Sequence, residues 1–151
     1  YMKDGFDAFK STLDLTRYSL PGFGGLLLYS LFGILATVIM QSSHATLVLT
    51  ITALASGQIS YDNALALAIG ANIGTTVTAI IGSFSANEEG KRLAMAHLVF
   101  NLITGAVAIA FIHPLLRVVD SISQWLGIAA DDFLLKLAVF HSLFNLIGIL
   151  L

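Results

Sequence analysis

Gln41-Ser42-Ser43-His44-Ala45-Thr46 is the stretch whose reading decides the fold. It lies inside a run from Tyr18 to Tyr61 that holds no Asp, Glu, Lys or Arg. Ahead of it an apolar arm, Phe23 to Met40, is long enough to cross most of a bilayer core. The arm behind it, Ala45 to Ala55, is too short, because a spanning helix needs about 20 apolar residues and ~17 at the least. A polar knot followed by a half-length arm predicts a broken or re-entrant helix. Non-helical backbone at membrane depth survives only where protein or a watery cavity satisfies its N–H and C=O groups. Such a cavity is where a solute binds.

Working outward, the bulk composition agrees. Of the 151 residues, 57 % are hydrophobic and 11 % charged, against roughly 25 % charged in ordinary globular chains. The charges cluster at Lys3 to Arg17, at Asp62, in Glu88-Glu89-Gly90-Lys91-Arg92 and from Arg117 to Lys136. Stretches of membrane length run between them, so the expectation is an all-α, multi-pass integral protein of the cell membrane. The net charge of −2, with no basic patch, gives no footprint for nucleic acid. No cysteine is present, which excludes disulfides and thiolate metal sites. Residues 1–21 read as an interfacial or helix-end segment that Pro21-Gly22 breaks, and not as the apolar core of a signal peptide. The chain stops inside the apolar run Leu146 to Leu151, so a fragment of a longer protein is expected.

A second polar knot interrupts the next apolar stretch. Asn63 to Ser83 is long enough to span, with Asp62 or Asn63 expected to cap it, yet its middle reads Gly70-Ala71-Asn72-Ile73-Gly74-Thr75-Thr76. Two glycines and three polar side chains weaken a helix, and Thr75 or Thr76 suits the start of a second half-helix. A break is the expectation here too. The same residues admit a plainer reading, since Gly70-x-x-x-Gly74 is also a helix-packing motif and membrane Ser and Thr often bond to their own backbone. Beyond the exposed Glu88–Arg92 loop, Leu93 to Ile112 reads as a span stopped by His113-Pro114. An amphipathic stretch from Arg117 to Lys136 follows, with Trp125 as interface anchor, and Leu137 begins another span.

One internal repeat is present. Leu93-Ala94-x-x-His97-x-x-Phe100-Asn101-Leu102-Ile103 recurs as Leu137-Ala138-x-x-His141-x-x-Phe144-Asn145-Leu146-Ile147. His97, Asn101, His141 and Asn145 are expected to hydrogen-bond between helices, as structural or gating groups. His44 is read either as a proton-sensitive group or as part of a cap. Zinc is disfavoured, since no cysteine or second histidine lies at ligand spacing. No nucleophile–base pair is visible, so the protein reads as no enzyme.

With no Arg or Lys in the two uncharged stretches, an anion has to be held by neutral donors. A half-helix that begins inside the membrane offers free N–H groups and the positive end of its dipole, and helix N-termini bind phosphate readily. Carbonyls at an unwound break, with the amide oxygens of Gln41 and Asn72, suit a hard cation such as Na⁺. Discontinuous helices that supply both kinds of ligand recur in secondary transporters.

Taken together these residues resemble the sodium/phosphate cotransporter family, bacterial branch. Its Gln-Ser-Ser-Ser…Ala-Thr motif is matched by Gln41 to Thr46, with His44 in place of the third serine. Its Gly-Ala-Asn-Ile-Gly-Thr-Thr-Val-Thr-Ala motif is matched without change from Gly70 to Ala79, and His-x-x-Phe-Asn elements occur at His97 and His141. The resemblance implies Na⁺-coupled symport of inorganic phosphate by two inverted repeats, each with a Gln-Ser-Ser hairpin. Residues 22–151 would then be the first repeat and the start of the connection to the second. The implied architecture is an inverted-repeat transporter half with a re-entrant hairpin and broken transmembrane helices, partnered by the second repeat and by lipid. It needs no cofactor beyond Na⁺ as coupling ion. Since hydroxyls and free N–H groups donate to an oxyanion, whereas amide and carbonyl oxygens suit a hard cation, Ser42, Ser43 and Thr46 are assigned to phosphate. Gln41, Asn72, Thr75 and Thr76 are assigned to sodium. The alternative is a non-transporting regulatory or assembly subunit that keeps the fold.

Overall fold

A computed structural model describes residues 22–150, and the interfacial segment expected at 1–21 lies outside them. The described residues form six helices: α1 (Phe23–Met40), α2 (Ser43–Ala55), α3 (Tyr61–Ser83), α4 (Glu88–Ala110), α5 (Ile112–Trp125) and α6 (Phe133–Leu150). Four of them, α1, α3, α4 and α6, are long and apolar enough to cross a membrane.

The arrangement follows from where small residues permit close approach. A Cβ added at Gly70 of α3 would lie 1.9 Å from the Ser30 carbonyl oxygen of α1, and one at Gly33 would lie 2.2 Å from the Leu67 oxygen. One at Gly74 would meet Thr37 Cβ at 2.7 Å. Residue numbers rise together along this seam, so α1 and α3 run parallel, backbone against backbone, as small residues allow in membrane helices. Two parallel helices need a return between them, and α2 supplies it. Gly22 and Phe23 accordingly line the same cavity as Ser60, Asp62 and Asn63. Thus α1 and α2 form a helical hairpin whose tip is Gln41-Ser42.

The core gathers on α3, which packs against α1, α2, α4 and α6. Leu65 and Ile69 of α3, Val119 of α5 and Phe140 of α6 are wholly buried. The short turn after Ser83 sends α4 back antiparallel, with Gly105 seated against Ile69 and Ile73. Along α5 the apolar residues Ile112, Leu115 and Val119 face inward, while Trp125 is 85 % exposed. Helix α6 starts beside the start of α3, the Tyr61 and Phe133 rings lying 5.1 Å apart. An ion pair of 2.7 Å between Lys136 and Asp120 ties α6 to α5. The outer side of α1 shows Phe23, Leu27, Leu31, Leu35 and Ile39 at one-turn intervals, an apolar stripe of the kind that faces lipid or another helix.

Several boundaries differ from expectation. The break expected within Gly70–Thr76 does not form, because α3 is one helix of 23 residues. Its glycines are occupied by α1 backbone, and an unwound turn there would strand amides in a packed interior. Its cap is Ser60, whose hydroxyl accepts from the Asn63 amide at 3.3 Å, and not Asp62 or Asn63. The span expected to stop at His113-Pro114 ends at Ala110, and Pro114 sits in the first turn of α5, where a missing N–H costs nothing. Helix α6 begins at Phe133, a turn before Leu137.

Candidate functional site

At the hairpin tip the backbone leaves the helix for two residues. Gln41 takes the left-handed conformation, φ 51° and ψ 30°, the single non-glycine with positive φ among the described residues. Ser42 is extended and caps α2, its Oγ accepting from the Ala45 amide at 3.2 Å. A helix start leaves its first amides without intrahelical acceptors. The Ser42 oxygen meets the Ala45 amide, and those of Ser43 and His44 stay open. The last carbonyls of α1 are left over in the same way, so the tip presents donors and acceptors side by side.

Behind the tip stands a residue the sequence reading missed. Thr37 of α1 is fully buried, and its Oγ1 lies 2.8 Å from Thr46 Oγ1. Thr46 also donates to the Ser42 carbonyl at 3.2 Å. The pair pins the start of α2 to α1 immediately beside Gly74. A lone threonine in an apolar arm is a weak signal, but its place one turn after Gly33 puts it on the face that meets α3.

The structure places the remaining sodium-assigned residues on α3. Asn72 is half-buried and donates its Nδ2 to Asn101 Oδ1 of α4 at 3.0 Å. Among the described residues nothing donates to the Asn72 amide oxygen. Thr75 and Thr76 donate to the carbonyls of Ala71 and Ile73 at 3.1 and 2.6 Å, and Thr76 is wholly buried. The backbone carbonyls around them are engaged in the unbroken helix, so only side-chain oxygens remain there for a cation. Gln41 and His44 are exposed, while Ser42 and Ser43 are half-exposed.

The two His–Asn elements are not equivalent. Asn101 and Asn145 each donate Nδ2 to the carbonyl four residues back, His97 at 3.0 Å and His141 at 2.7 Å. Only Asn101 also reaches another helix. His97 is exposed. The His141 Nδ1 is buried without a hydrogen-bond partner among the described residues, and the ring is within electrostatic reach of His44 on α2. A cavity of about 270 Å³ lies between the starts of α1 and α3 and the α4–α5 junction. That is a helix length from the tip, roughly 27 Å at 1.5 Å per residue, and it shares no residue with the polar knots.

A family model described as Na+/Pi-cotransporter matches residues 23–130. Among curated relatives, the "Putative inorganic phosphate export protein YjbB" of Salmonella typhimurium strain LT2 is 35 % identical over 120 residues, 80 % of this chain and 21 % of that protein. The uncharacterized protein YqeW of Bacillus subtilis is 31 % identical over 121 residues, 80 % of this chain and 37 % of that protein. The human sodium-dependent phosphate transport protein 2C is 28 % identical over 120 residues, 77 % of this chain and 20 % of that protein. No solved structure matches. The chain spans about a fifth of the length of the phosphate-export relatives it matches. It belongs to the Na+/Pi-cotransporter family, a family of multi-pass membrane transporters and not of enzymes.

Proposed function

We propose that the chain is one repeat of a sodium-coupled transporter of inorganic phosphate, and that the α1–α2 tip is its phosphate-binding half-site. The observation that carries this reading is the tip itself. Two serines and the open amides of a helix start meet there, within a run of sequence free of charged residues. Hydroxyl and N–H groups at a helix N-terminus, aided by the helix dipole, hold an oxyanion without a fixed cation.

In this reading Ser42 and Ser43 donate to phosphate. Thr46 backs them, since its hydroxyl is already shared with Thr37 and the Ser42 carbonyl. Na⁺ takes the leftover carbonyls at the end of α1 and the Gln41 amide oxygen. The oxygens of Asn72, Thr75 and Thr76 form the second group of cation ligands on α3. Sodium brings the positive charge that the site otherwise lacks, which is how its binding favours phosphate and couples the two. The hairpin then enters and leaves the membrane on one side, because its second arm is too short to cross, and a second repeat completes the site.

The test uses the full-length protein in proteoliposomes, with phosphate flux read under Na⁺ gradients of either direction. Flux should follow the Na⁺ gradient and vanish with K⁺ in its place. Ser43→Ala removes one hydrogen bond to a charged ligand, worth about 1.5–3 kcal/mol. That corresponds to roughly a tenfold to hundredfold weaker phosphate affinity at saturating Na⁺. An inserted Ser43→Ala protein with unchanged phosphate and Na⁺ curves would remove the tip from the site.

A further inference from the structure

The internal repeat places the same residues on two helices, yet α4 and α6 bury opposite faces. On α4 the asparagine face is covered by α3: Ala94 is 7 % exposed and Asn101 4 %. On α6 the matching Ala138 is exposed and Asn145 half-exposed, and Ser142 and Ile149 on the same face are exposed as well. The reverse holds for the phenylalanines, since Phe144 is 1 % exposed and Phe100 38 %. One motif therefore has two sides, each of which finds a partner on only one of the two helices.

The α4 copy shows what the asparagine side is for. Both asparagines anchor one Nδ2 N–H on the His carbonyl four residues back, which leaves Oδ1 as an acceptor for another group. On α4 that acceptor takes a hydrogen bond from the Asn72 Nδ2 of α3. On α6 the Asn145 Oδ1 accepts nothing among the described residues. A bare amide oxygen on an apolar membrane helix is costly, and polar groups at such positions pair with another helix. Ala138 and Ser142, one turn apart, leave room for a close approach.

We propose that the Asn145 face of α6 docks a membrane helix of the same polypeptide outside residues 1–151, one that brings an amide donor to Oδ1 as α3 brings Asn72 to Asn101. This rests on the reading of the chain as one part of a longer transporter. The relatives, nearly four times as long, supply the room for such a helix. A second copy of α6 is the competing occupant, since each Asn145 keeps one Nδ2 N–H, and the crosslink map distinguishes it.

A photo-crosslinking phenylalanine at the exposed position Ser142 of the full-length protein, irradiated in native membranes and mapped by mass spectrometry, tests this. The expected product is an intrachain adduct to a peptide outside residues 1–151 with Asn or Gln within one turn of the adduct. Asn145→Leu should lower its yield by about threefold or more, as the loss of one interhelical hydrogen bond predicts, while Asn145→Gln keeps it within about twofold. Adducts to lipid alone, to residues 1–21 or to a second copy overturn the proposal, as does a yield indifferent to Asn145→Leu. The readout needs neither phosphate nor Na⁺, so a protein that moves no phosphate still reveals whether the docking face is occupied.

Discussion

At Gln41-Ser42 the backbone leaves the helix and starts a new one, whereas through Gly70–Thr76, with more glycine and as much polarity, it runs on without a break. Local composition does not account for the difference, since two glycines and two threonines weaken a helix more than Gln-Ser-Ser does. Surroundings do. The α3 glycines press on α1 backbone, and the α3 threonines return their hydroxyls to their own carbonyls. Around Gln41-Ser42 the side chains are half-exposed or exposed, so the freed amides and carbonyls can be met by water or a ligand. A polar knot opens where its backbone groups can be served from outside and stays closed where the neighbouring helix has taken its surface.

The largest effect tests that last clause. Gly70→Leu drives a side chain into the Ser30 carbonyl, and overpacking of this kind costs about 1–3 kcal/mol or more. Gly82, on the same helix, has nothing within 4 Å of an added Cβ. Gly82→Leu should therefore be neutral, or stabilising by up to about 1 kcal/mol through helix propensity. Thermal unfolding in detergent, followed by size-exclusion chromatography, separates the two. Equal behaviour would mean that the α1–α3 seam is not what keeps the second knot closed.

A smaller contrast concerns the hydroxyls. Ser42→Ala removes a helix cap and should cost about 1 kcal/mol. Thr75→Ala removes only a bond back to its own helix, in exchange for the best helix former, and should lie within about 0.5 kcal/mol of neutral. The same unfolding assay reads both. A Thr75→Ala loss as large as that of Ser42→Ala would show that α3 depends on its hydroxyl as α2 does on its cap, and the contrast between the knots would fall.

The hairpin tip was legible because everything that makes it is local: a charge-free run, a serine at the cap position, a second arm too short to cross. The four helices long and apolar enough to cross a membrane were legible for the same reason, as apolar stretches set off by charge clusters. The continuity of α3 was not, because it depends on Ser30 and Thr37, forty residues upstream of Gly70 and about as far from Gly74, and no periodicity within 63–83 reports them. The packing reading of Gly70-x-x-x-Gly74 and the back-bonding reading of the threonines named the right physics. The burial of Thr37 against Thr46 escaped, since it needs the hairpin to be closed first. The choice of Ser60 over Asp62 as cap is a matter of where α3 begins, and sequence resolves such boundaries poorly.

The smallest expected effect falls on Gln41, and it separates fold from function at the tip. A non-glycine residue in the left-handed region stores strain of order 1 kcal/mol, which glycine relieves at the expense of a more flexible unfolded chain. Gln41→Gly should therefore leave stability unchanged or raise it by up to about 1 kcal/mol. If Gln41 were there only to turn the chain, transport would be unaltered or improved. The proposed cation role requires the opposite sign, because glycine keeps the turn and deletes the amide oxygen. The Na⁺ concentration for half-maximal flux should then rise, with a smaller change in the phosphate curve through linkage. Gln41→Asn holds an amide at the same place in a residue that tolerates the left-handed region, and it should recover part of the Na⁺ affinity. A Gln41→Gly protein as stable as its parent, with an unshifted Na⁺ curve, would return Gln41 to the backbone and leave the carbonyls at the end of α1 as the tip's cation ligands.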